Sequence, residues 1–216
     1  MAMVLVLLVV PVAIVIGVLL RGEGISALAD VRVRGLPWAV AGAAVQLLRT
    51  TDPTWAAGPL HAAGRALPPL ALALCATGFA LANARGATRG VRAALAAMLT
   101  GALANALATA LNGGMPFSVS GTRTAGIPAE HIAAPTPGHV PIDDGTALVA
   151  LADVIGVPML GIVLSVGDLL LWGGLAAALV IGARRSTTRP GAIAGEHHQS
   201  GPTPAGSPPA VERSTP

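Results

Sequence analysis

Long apolar runs govern what this chain can fold into. Residues 4–20 are apolar except for Pro11 and Gly17, and comparable runs recur over 36–51, 66–83, 91–111 and 158–182. A helix needs about 20 apolar residues to cross a bilayer. Charged residues make up only 11% of the chain and apolar ones 53%, where a soluble domain carries roughly 25% charged residues. The strict apolar/polar alternation of a membrane barrel is missing from these runs. The expected fold is therefore all-α: a polytopic transmembrane helical bundle of about five spanning helices. The first run is read as an uncleaved helix, because no positive charge precedes it and it exceeds the usual signal-peptide core.

The net charge of +3 does not point to nucleic acid. All 13 basic residues are Arg, and Lys and Tyr are absent, which is the bias of GC-rich codons. The arginines stand singly or in pairs at the ends of apolar runs, where they carry topology information. With five spans, one set of loops holds Arg21, Arg32, Arg34, Arg85, Arg89, Arg92, Arg184, Arg185 and Arg189; the other holds Arg49, Arg65 and Arg123. The richer set is expected in the cytoplasm. That places the N-terminus outside and the C-terminus inside, in an inner (plasma) membrane. The single cysteine, Cys75, excludes an intrachain disulfide and a thiolate metal site.

Between the spans the text changes. Residues 21–35 read equally as an interfacial segment or a polar loop. Residues 112–145, rich in Gly, Pro, Thr and Ser, form the expected extracytoplasmic loop. Residues 146–156 are too short to span and read as a short surface or re-entrant helix leading into the last span. Residues 184–216 carry few large apolar side chains and are expected to be a disordered cytoplasmic tail.

A few polar groups need a physical reason. Asp168 falls ten residues into the fifth run, about 15 Å along a helix and near the bilayer midplane. A carboxylate there costs roughly 2.5–3.5 kcal/mol, so it must face protein. Gly101, Asn105 and Thr109 share one face of the fourth helix, and Gly161, Ser165, Asp168 and Trp172 one face of the fifth. Antiparallel counting sets Asn105 level with Ser165, so the two faces are expected to pack, with Asp168 hydrogen-bonded to Asn105 or to its own helix. Asp168 then has two readings: a proton or cation relay, or a structural group that fixes helix packing. At the end of the fourth helix, Asn112-Gly113-Gly114-Met115-Pro116 reads as a left-handed cap closed by proline, or as amides exposed to a headgroup or ligand. His139, Asp143, Asp144 and Asp153 match no zinc or calcium spacing. No nucleotide loop, HExxH helix or Ser-His-Asp order is present. No catalytic residue, metal or cofactor is expected.

Taken together, the Asn112–Pro116 turn, Leu151-x-Asp153 and Ser165-Val166-Gly167-Asp168 resemble an uncharacterised family of bacterial multi-pass proteins, a domain of unknown function. Its pattern is an N-G-G-x-M-P-like turn, a histidine-containing loop, a G-D before a proline, and S-I-G-D in the last span. This chain lacks the residue between Gly114 and Met115 and carries Ala152 for Gly and Val166 for Ile. The resemblance extends over about residues 1–185 and is specific over 112–172. It implies a shared architecture and no activity. Three functions remain open. The first is a structural or binding module that holds a lipid, a small ligand or a partner membrane protein. The second is a small transporter or proton-coupled channel, as a homo-oligomer, using Asp168. The third is an intramembrane enzyme with Asp153 and Asp168 paired, which needs a re-entrant fold at Gly156–Pro158.

Overall fold

A computed structural model describes residues 14–19, 31–51, 67–133 and 138–187. Of the expected helix over 4–20, only residues 14–19 are described, as helix; its remainder, most of the segment 21–35, the loop around His61 and the tail beyond Thr187 lie outside the described residues. The structure is mostly helical. Three helices are long and apolar enough to cross a membrane: Leu67–Ala84, Arg89–Asn112 and, within a longer helix, Val166–Ala183. The expectation of about five spans is corrected to three among the described residues.

Helix α1 (Leu36–Thr51) has 16 residues, about 24 Å at 1.5 Å per residue, less than the ~30 Å hydrocarbon thickness. It lies along α2 (Leu67–Ala84), with Trp38 stacked so closely on Gly78 that a side chain at residue 78 would enter the indole. A four-residue turn through Gly86 leads to α3 (Arg89–Asn112), whose N-cap Thr88 accepts from Val91 N at 3.2 Å. Helix α3 is central. It packs on α2 on one side and on the last helix on the other.

Buried and exposed positions in these helices are inverted relative to a water-soluble bundle. The interior is built from Ala73, Ala80, Ala94, Gly101, Ala106, Ala108 and Ala178, with Leu95 and Met98. The exterior carries Leu67, Leu70, Leu74 and Leu81 on α2 and Leu103, Leu107 and Leu111 on α3. Small residues inside let backbones approach, and van der Waals contact then holds helices that no hydrophobic effect drives together in lipid.

Between α3 and the last helix the chain forms a small cap. Strand β1 (Met115–Phe117) is fully buried and pairs in parallel with β2 (His139–Pro141). On its other side, Phe117 makes a parallel bridge to Asp153. The crossover carries two short helices, α4 (Val119–Thr124) and α5 (Ala129–Ala133). A 3-10 turn at Val149–Leu151 follows, then a hairpin of β3 (Ile155–Val157) and β4 (Ile162–Leu164). The final helix, α6, runs Val166–Thr187.

The cap overturns two expectations. The fold is not all-α, since it contains four short strands among the described residues. The last helix does not start at Pro158. Residues 155–164 are a hairpin whose tip exposes Met159 almost completely, and the stretch 146–156 holds only a single 3-10 turn of helix. At the far end, α6 continues past Ala183 and takes in the first residues of the expected tail.

Candidate functional site

The polar centre sits where α6 begins. Ser165 is its N-cap and is wholly buried. Its hydroxyl accepts from Asp168 N at 2.9 Å, and the Asp168 carboxylate accepts from Ser165 N at 3.0 Å. This reciprocal pair is a capping box, with Asp in place of the usual Glu, and satisfies two amides that a helix start leaves open. Asp168 therefore does not lie at the middle of a helix, as expected from the sequence, but in the first turn, where the helix dipole favours an acidic group.

Helix α3 completes the arrangement. Asn105 Nδ2 donates to the other carboxylate oxygen of Asp168 at 2.7 Å, and Ser165 Oγ donates to Asn105 Oδ1 at 3.0 Å. Both carboxylate oxygens and both ends of the Asn105 amide are thus engaged. Gly167 makes this approach feasible, because any side chain there would overlap the Asn105 amide. One turn further, Gly101 lies against the α6 backbone at Gly167 and Leu171, and Gly174 against Ala94 and Met98. Gly161 lies in the hairpin, not on this helix face.

The Asn112–Pro116 turn is a second polar junction. Gly113, at φ 70°, supplies the left-handed conformation that ends α3. Asn112 Nδ2 donates to Ala108 O at 2.8 Å and to Ala147 O at 3.0 Å, while Ala147 N donates to Asn112 Oδ1 at 2.8 Å. The side-chain amide therefore copies a strand neighbour and clamps a peptide 35 residues away onto the helix end. Gly114 passes so close to Val140 that a side chain would collide with it, and would press tightly on Gly138. Met115 and Pro116 are buried in β1, and Thr109 Oγ1 donates to Met115 Sδ at 3.6 Å.

Asp153 is buried within the cap. Its backbone joins β1 through Asp153 N to Pro116 O and Ser118 N to Asp153 O, both 2.8 Å. Its carboxylate lies 3.9 Å from His139 Nε2. Asp143 is turned into its own loop, accepting from Gly145 N and Thr146 Oγ1 at 3.0 Å each. Among the described residues no group of three or more His, Cys, Asp or Glu is placed to hold a metal ion. Asp153 and Asp168, which the enzyme reading pairs, each have their own neighbours: His139 for one, Asn105 and Ser165 for the other.

One junction had no counterpart in the sequence reading. Asn83, near the end of α2, donates through Nδ2 to Phe79 O at 2.8 Å and to Arg34 O at 2.6 Å, and accepts from Arg34 N at 2.9 Å. This is the Asn112 device again, at the opposite end of the bundle. An amide near a helix end is the shared signal, but its distant partner leaves no mark in the sequence.

A family model matches residues 68–180, from the start of α2 through most of α6. The chain belongs to a family of unknown function (DUF5317). The match takes in Asn83, Asn105, Asn112, the whole cap, Ser165 and Asp168, and leaves out α1. It is narrower than the extent of about 1–185 that the resemblance suggested. No curated protein and no solved structure matches the chain.

Proposed function

We propose that this DUF5317 chain is an inner-membrane binding module, which presents the cap of residues 113–165 on the outer face and anchors it rigidly to the α3–α6 pair. The observation that carries the reading is the inverted helix pattern, leucine outside and alanine or glycine inside. Water would penalise that surface, whereas lipid accepts it. The engaged state of Asp168 supports a structural role for the carboxylate over a relay: each of its oxygens accepts a hydrogen bond from a donor of the same junction.

Arginines set the orientation. Arg34, beside Asn83, and Arg85, Arg89 and Arg92 gather at the end of the bundle away from the cap, where Val18 also packs on Ala183. The cap itself carries Arg123 alone. The positive-inside rule then puts the arginine end, with the end of α6, in the cytoplasm. Single cysteines in a Cys75→Ser background test this. Thr124→Cys in intact cells reacts with a membrane-impermeant maleimide, and Arg85→Cys reacts only after permeabilisation. The opposite pattern overturns the orientation, and labelling of both in a membrane-free extract overturns the membrane placement.

A further inference from the structure

At the arginine end the described helices do not close on one another. A cleft of about 620 Å³ opens between the 31–34 segment, the α2–α3 turn and the last turns of α6. That volume falls inside the roughly 300–1,000 Å³ typical of ligand sites. Its two halves differ in chemistry. Phe79, Leu95 and Leu175 line an apolar floor, while Arg32, Arg34 and Arg85 stand on the rim. None of the described lining residues is acidic, and among the described residues no ion pair engages the three guanidinium groups.

The rim is built, not incidental. The Asn83 amide grips the Arg34 peptide through both N–H and C=O, which fixes one wall of the cleft against α2. Because the clamp uses the Arg34 backbone, the Arg34 side chain is left for other work. Gly86, at φ 71°, turns the chain so that Arg85 reaches the same rim.

We propose that this cleft binds an anionic phospholipid, with its phosphate among Arg32, Arg34 and Arg85 and the upper part of an acyl chain along Phe79, Leu95 and Leu175. The inference rests on placing the helices in a bilayer, at whose cytoplasmic face such lipids lie. Three positive charges over an apolar floor complement a molecule with a negative head and a hydrocarbon body. A soluble phosphate compound would use the rim and leave the floor wet. Guanidinium groups suit the phosphate through paired N–H donors, and basic pockets between helices on the cytoplasmic side are a recurrent form of lipid site.

The test is a lipid titration of the full chain in detergent, read by native mass spectrometry, so that it does not depend on orientation in cells. Phosphatidylglycerol is expected to bind at least tenfold more tightly than phosphatidylcholine. Each rim arginine is worth about five-fold near a lipid surface, so Arg32→Gln/Arg34→Gln/Arg85→Gln lowers phosphatidylglycerol affinity by about a hundredfold. The control Arg89→Gln/Arg92→Gln removes exposed arginines of α3 outside the cleft and leaves binding unchanged. Leu179→Trp fills the cleft without altering charge and weakens binding of both lipids, which keeps the idea testable if the triple variant fails to fold. Equal affinity for the two lipids, as when another part of the chain occupies the cleft, overturns the proposal. So does an equal loss in the control variant, or displacement of the lipid by millimolar inorganic phosphate.

Discussion

Replacing Asp168 separates its structural and relay readings, because two substitutions that look alike to a relay differ in the junction. Asp168→Ala removes the acceptor of Ser165 N and that of Asn105 Nδ2. Losing a helix cap costs about 0.5–2 kcal/mol, and an interhelical side-chain bond in a membrane bundle averages about 0.6 kcal/mol. Ser165 is fully buried, so water cannot replace the lost acceptor, and the cap term lies toward its upper end. The expected total is about 2–3 kcal/mol. Asp168→Asn keeps an oxygen for Ser165 N. Its new NH2 group meets Asn105, whose amide can turn over to present Oδ1, and the freed Nδ2 then donates to Ser165 Oγ. Four hydrogen bonds survive. What is lost is a negative charge near a helix N-terminus, about 0.3–1 kcal/mol, and the acceptor of the Ser165 O–H, about 0.5–1 kcal/mol. The assay is reversible unfolding in mixed micelles followed by tryptophan fluorescence, since Trp172 lies one turn beyond Asp168. If Asp168→Ala is within 0.5 kcal/mol of the parent, or Asp168→Asn costs as much as Asp168→Ala, the junction is not what holds this helix start.

Two other substitutions probe the cap. Asn112→Ala breaks three bonds to Ala108 and Ala147 and at about 1 kcal/mol each destabilises the cap by about 3 kcal/mol; amide hydrogen exchange at Ala147 accelerates about a hundredfold while the centre of α3 keeps its protection. Leu148 holds φ 53°, the one positive value outside glycine among the described residues, and is exposed. A leucine there costs about 1–2 kcal/mol, so Leu148→Gly, after its own entropic cost of about 0.5–1 kcal/mol, stabilises the cap by up to about 1.5 kcal/mol, read as a raised melting temperature.

The sequence made some of this legible and hid the rest for definite reasons. Expected helices at 36–51, 66–83 and 91–111 correspond to Leu36–Thr51, Leu67–Ala84 and Arg89–Asn112, because long apolar runs with proline or arginine at their ends leave little freedom. The apolar run sets the start of the last helix at 158, eight residues before its place at 166. Strands of three residues are too short to show period-two alternation, so Ile155–Leu164, an apolar hairpin, merges with the helix that follows it. A signal was nonetheless present: Ser165 and Asp168 have capping-box spacing, which marks a helix start. Reading them as neighbours inside a helix put the carboxylate a third of a bilayer too deep. The parallel pairing of β1 with β2 joins residues 24 apart, and nothing local encodes it. Asn105 and Ser165 do meet, but the counting that sets them level takes residues 158–165 as helix, whereas they belong to the hairpin and its exit, so helix periodicity does not account for the contact.

Where hydrocarbon begins along the last crossing is the most direct test of the whole account. A cysteine scan over residues 155–175 in the Cys75→Ser protein, probed from outside with a water-soluble maleimide, measures it. The structure predicts strong labelling across the hairpin, greatest at Met159→Cys, falling away within one turn after Ser165 and absent beyond Leu171. Protection starting at Pro158 and continuing unbroken would mean that the crossing begins there, that Asp168 is deep in the membrane, and that the capped junction described here does not exist.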